Sequence, residues 1–188
     1  MEKVKIVLYL VFVLLLCYLT FSLATDYQQK ETRIHCSFII WVIDTIDLFI
    51  HETGHLVFKV FGTFMGFLGG SLFQILIPFA AVVVFARSSW RSLPLTFYWT
   101  GQSIVNVSIY IGDAPYQRLQ LISRGAIHDW RWLFNYTGLM EYAEAIAAGV
   151  NVLGLITCVA GIGVGFYYVV HTAIQLSSQK KLPPHKEN

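Results

Sequence analysis

The chain is built of long apolar runs separated by short polar links. Residues 6–25, 60–86 and 92–112 contain no charged side chain, and residues 145–179 contain only His171. A fifth run, residues 38–60, has the same length but is interrupted on one side by polar groups. A helix crosses a bilayer with about 20 mostly apolar residues, so each run is long enough to span. The pattern predicts an all-α fold, a polytopic transmembrane helix bundle of about five spans. A break in the long last run would make six. The first run has an alternative reading as a signal anchor or cleaved signal: Lys3 and Lys5 precede it, and it ends in the small-residue sequence Ser22-Leu23-Ala24. Removing it would leave four. The expected organisation is a first span over residues 1–25, a membrane-embedded core over 34–176, and a polar tail over 177–188, "SSQKKLPPHKEN", expected to be disordered.

Composition narrows the class. The 188 residues are 56% hydrophobic and only 13% charged, with a mean hydropathy of +0.60, too apolar for an ordinary soluble domain. The expected location is therefore an integral, multi-pass membrane protein. A net charge of +2 gives no basic surface for nucleic acid. Lys and Arg divide almost evenly between the two sides of a five-span arrangement, so the positive-inside asymmetry is absent. Cys17, Cys36 and Cys158 stand far apart without a CxxC spacing, which supports neither a thiolate zinc site nor a disulfide framework.

The interrupted run holds the chemistry. Residues 43–58, "IDTIDLFIHETGHLVF", carry Asp44, Asp47, His51, Glu52 and His55. Ionisable groups at membrane depth are expensive and mark a function and a partner. "HETGH" has the HExxH spacing: on a helix His51 and His55 stand one turn apart on one face, placed to hold one Zn2+. Glu52 lies beside that metal, where it can take a proton from a bound water whose pKa zinc lowers to about 7. Asp47, one turn before His51, is placed to accept the other ring N–H of that histidine, and Asp44 lies one turn further. Both also have a plain reading, pairing with Arg33 or another base at the membrane surface. Gly54 suits close helix packing.

A catalytic zinc needs a third protein ligand. The downstream candidates are Asp113 at the end of a span, His128 and Asp129 in "AIHDW", and Glu141 and Glu144, which also suit the first turn of a helix. Trp99, Gln102 and Asn106 form a polar stripe pointing to the same interior as Asp113. Gln74, in "GGSLFQILIP", is a substrate-positioning or helix-bridging candidate, and Pro78 frees its backbone carbonyl. Gly161 and Gly165 form a GxxxG packing face.

An in-membrane HExGH followed by an Asn and then an Asp near a span end resembles the site-2 protease group of membrane-embedded zinc metalloproteases. The resemblance covers residues 44–115. It implies His51 and His55 as ligands, Glu52 as catalytic base and Asp113 as third ligand, with His128 as the alternative. It departs from the group's N-x-x-P-x-x-x-x-D-G motif: position 109 is Ile, the Asn–Asp gap is seven residues, and Ala114 stands for Gly. The expected activity is an intramembrane zinc metallopeptidase acting on a membrane-protein or membrane-associated peptide. The rival is a non-catalytic metal-binding membrane protein, a transporter or an inactive protease relative. A di-iron hydroxylase needs more histidines than the six present.

Overall fold

The computed structural model describes residues 2–30, 33–120 and 127–179. Every apolar run becomes a helix. In chain order these are α1 (Glu2–Thr25), α2 (Phe38–Phe58), α3 (Thr63–Ser88), α4 (Leu93–Asp113), a short α5 (Asp129–Thr137) and α6 (Ala143–Gln179). A small antiparallel ribbon, β1 (Gln28–Lys30) and β2 (Arg33–His35), joins α1 to α2 and pairs Gln28 with His35. The class is all-α. The last run is a single helix of 37 residues, which sets aside the six-span alternative. Its helix also runs through residues 177–179, so the expected tail is shorter, and residues 180–188 lie outside the described residues.

Three helices are long and apolar enough to cross a membrane: α1, α3 and the helical stretch containing α6. The expectation of about five rested also on α2 and α4, each 21 residues long, whose polar side chains lower their apolarity. Those side chains turn inward. Helix α4 is the centre of the bundle, with 14 of its residues buried, among them Gln102, Ser103 and Asn106. The outer side of α6 instead presents Val152, Ile156, Val159 and Val170 to the surroundings. Apolar outside and polar within is the pattern a lipid solvent selects, because a polar group facing hydrocarbon has nothing to bond.

Glycines bring the helix axes together. A Cβ on Gly54 of α2 would stand 2.3 Å from the carbonyl oxygen of Gly69 on α3, and one on Gly101 of α4 would stand 2.4 Å from Cys158 Sγ on α6. Gly161 and Gly165 meet Phe97 and Val13 in the same way. Such contacts supply the dispersion that holds helices together where burial from water does not. One core cluster joins α1, α2, α4 and α6 through Leu16, Leu19, Ile40, Tyr98 and Val105. Another joins α4, α5 and the start of α6 through Val107, Ile111, Phe134 and Ala143.

Candidate metal centre

Helical periodicity stacks His51 and His55 on the side of α2 that faces α3. Their ring centres are 4.7 Å apart and nearly perpendicular, and with Glu52 they offer three ligand atoms all within 4.8 Å of one another. Gly70 of α3 passes directly behind them. A Cβ there would lie 2.6 Å from His51 Nε2 and 2.7 Å from His55 Nε2, so both imidazoles occupy room that exists only because residue 70 has no side chain.

The protons on the two rings follow from their other partners. His55 Nδ1 is 2.7 Å from the carbonyl oxygen of Gly66. A carbonyl can only accept, so the proton is on Nδ1 and Nε2 carries a lone pair. His51 Nδ1 is 3.1 Å from Gln74 Oε1, and the same reasoning leaves its Nε2 unprotonated. Both Nε2 atoms then face one carboxylate oxygen. Asp129 Oδ2 is 3.1 Å from His51 Nε2 and 3.2 Å from His55 Nε2.

With both rings neutral, three acceptors converge here. A single proton on either Nε2 makes an imidazolium–carboxylate pair with Asp129, and one divalent cation would serve all three atoms. Bonds of about 2.0–2.1 Å in a tetrahedron place neighbouring ligand atoms about 3.3–3.4 Å apart, close to the 3.1 and 3.2 Å that separate Asp129 Oδ2 from the two Nε2 atoms. Two imidazoles and a carboxylate are also a donor set that zinc accepts. The residues present fit the ion.

Asp129 reaches the histidines because α5 starts there. His128 is the N-cap of that helix, its Nδ1 accepting from Arg131 N at 3.3 Å. Gly138, at φ +72°, ends the helix in a conformation costly for other residues. Asp129 lies in the first turn, where the helix dipole favours an anion. Burial raises its pKa, but the pairing with His51 and His55 outweighs this and holds it below the usual value. Burial lowers the pKa of His128 and favours its neutral form.

Asp113, the expected third ligand, is not brought to the histidines. Its carboxylate turns back over the end of α4, accepting from Arg118 N at 2.9 Å and Leu119 N at 3.0 Å, and facing His128 Nε2 at 3.4 Å. Asp113 is the last residue of α4, and the backbone N–H groups of the loop that follows claim its carboxylate. His128, the alternative ligand, is held through Nδ1 by Arg131 N, and its buried Nε2 lies 3.4 Å from Asp113 Oδ2 without a hydrogen bond. Asp47 does not orient His51; it accepts from Trp99 Nε1 and Ser103 Oγ, each at 2.8 Å. Gln74 takes that place, and its Nε2 donates to Asn106 Oδ1 at 2.9 Å. Asp44 accepts from Tyr27, Gln102 and Asn106. Glu141 is exposed and Glu144 accepts from Tyr116, both away from the centre.

Sequence reasoning did not single out Gly66 or Tyr27, and it read the paired glycines Gly69 and Gly70 only as a place where backbone approaches a neighbour. Gly66 and Gly70 did leave a signal, standing one helical turn apart in "GFLGG" just after the HExxH helix. Tyr27 left none. The centre borders a cavity of about 870 Å³, whose lining includes His51, Glu52, His55, Tyr110, His128 and Asp129. Comparison with family models, with curated proteins and with solved structures finds no match for this chain.

Proposed function

We propose that the protein is a multi-pass membrane zinc metallopeptidase, with His51, His55 and Asp129 as the zinc ligands and Glu52 as the general base. The carrying observation is the meeting of two imidazole lone pairs and one carboxylate oxygen at 3.1 and 3.2 Å. A zinc ion bound there would acidify a water and polarise a substrate carbonyl. Glu52 belongs to the same group of ligand atoms and borders the cavity. From that position its carboxylate would take the proton of such a water and return it to the leaving amine. Gly66 O and Gln74 hold the two rings in the tautomer that binds a metal.

A resemblance to the site-2 protease group supports the HExxH half of this reading, while the ligand set departs from it at Asp129. The substrate is proposed to be a membrane-associated peptide, admitted to a cavity large enough for several extended residues. The non-catalytic alternative predicts a different outcome in one experiment. Zinc content of the detergent-purified protein, measured by mass spectrometry beside a peptidase assay, should be stoichiometric in wild type and in Glu52→Gln. Hydrolysis should be lost only in the variant, because an amide cannot accept the proton. Equal hydrolysis by the two proteins removes Glu52 from the mechanism, and zinc bound without hydrolysis in either favours a metal-binding role.

A further inference from the structure

Asp44 touches neither histidine, yet an unbroken line of hydrogen bonds joins it to His51. Its Oδ1 receives three donors: Tyr27 Oη at 2.8 Å, Gln102 Nε2 at 2.5 Å and Asn106 Nδ2 at 3.2 Å. An oxygen surrounded by three donors is an acceptor whatever the other carboxyl oxygen carries. Tyr27 commits its one hydroxyl proton to Asp44, so towards Asn106 Nδ2, at 2.6 Å, it can only accept. The amide of Asn106 is thereby oriented, nitrogen towards Tyr27 and Asp44, oxygen towards α3. Gln74 must meet that oxygen with its nitrogen, at 2.9 Å, and so presents its own oxygen to His51 Nδ1 at 3.1 Å.

Asp44 fixes the line at its Asn106 end, and Asp47, which also takes a hydrogen bond from Gln74, backs it at the other. Turning both amides over keeps the Gln74–Asn106 bond but offers His51 a donor instead of an acceptor and sets the Gln74 oxygen against Asp47. His51 would then keep its lone pair on Nδ1 and its proton on Nε2, the atom that faces Asp129. Gln74 and Asn106 are buried, so bulk water does not repair a reversed link.

We propose that Asp44, acting through Asn106 and Gln74, sets the tautomer of His51 and thereby keeps Nε2 free for a metal. Asp44 is a positioning residue, and Tyr27, just beyond α1, secures its end of the line. This inference rests on the reading of His51 as a ligand, but the tautomer is observable without any metal. It explains why a second carboxylate is half-buried two helical turns before His51.

The test is long-range proton–nitrogen NMR on the metal-free full chain in detergent, with nitrogen-15 in the histidine rings, paired with zinc titration. Wild type should show His51 protonated on Nδ1 alone. Asp44→Leu should populate both tautomers and weaken zinc binding by about 10–100-fold. Asp44→Asn retains an oxygen for the three donors and should keep the wild-type tautomer and affinity. Adding Gln74→Glu to Asp44→Leu should restore the Nδ1 proton, since a carboxylate only accepts. Should Asp44→Leu fail to fold, Asn106→Leu cuts the same line one step nearer and carries the same expectation. A single wild-type tautomer with unchanged zinc affinity in Asp44→Leu or Asn106→Leu overturns the inference and leaves His51 as a ligand. A wild type that binds no zinc overturns the metal reading, while the NMR still decides the relay.

Discussion

Asp113 is buried and Asp129 half-buried, and their partners give them different tasks. Asp129 Oδ2 faces the Nε2 atoms of the two histidines, whereas the oxygens of Asp113 accept from two backbone N–H groups. Asp129→Ala leaves two imidazoles and should abolish stoichiometric zinc, measured by equilibrium dialysis and elemental analysis. Asp113→Ala should retain zinc at reduced affinity, because it loosens the segment that leads to His128. Full occupancy in Asp129→Ala would sink this ligand set. Gly70 permits a sharper test, since it has no polar atom to lose. A methyl group at 2.6 Å from His51 Nε2 displaces the rings and leaves the helix intact. Gly70→Ala should therefore weaken zinc binding by about tenfold or more, with helical circular dichroism unchanged.

At the scale of elements, the distinctive piece is α5, too short to cross a membrane and placed so that its first turn completes the centre. Its position depends on its cap. His128→Ala removes the acceptor for Arg131 N and the contact with Asp113, at a cost of about 1 kcal/mol. About 1 kcal/mol is about fivefold in an equilibrium constant, so the zinc dissociation constant should rise by about that factor. A total loss of zinc in His128→Ala would instead make His128 a ligand. The helix boundaries themselves were legible, because apolar runs bounded by charges, Gly62 and Pro94 leave few other choices. Which face of α2 and α4 meets which neighbour was less legible. Polar residues on both helices marked an interior, and the partners across it lie 23 to 79 residues away in the chain.

For the whole molecule, a bound metal would tie α2 to α5, two elements with few other contacts. Chelation should then loosen α5 far more than the α4–α6 pair, whose packing depends on Gly101 and Gly154. Hydrogen exchange with and without chelator should show lost protection in α5 and unchanged protection in α4 and α6. Ligand linkage adds about 2.7 kcal/mol of stability when free zinc is 100 times its dissociation constant, so the unfolding temperature should fall on chelation. Uniform loosening of every helix would argue against a site confined to that junction.

The amino-acid sequence by itself determined the all-α class, the order of the long helices, and the pairing of His51, Glu52 and His55 on one helical face. These are local properties: apolar length selects helices, and a spacing of four residues selects a face. Tertiary structure decided which acidic residue meets the histidines, which group holds each ring, and why residue 70 is glycine. Asp113, His128 and Asp129 are equally plausible as letters, and what separates them is competition for partners. Backbone N–H groups beyond α4 take Asp113, the α5 N-terminus takes His128, and only Asp129 is left facing the two lone pairs. A residue's neighbours along the chain do not disclose that competition, because its outcome depends on groups brought together by the packing of α2, α3, α4 and α5.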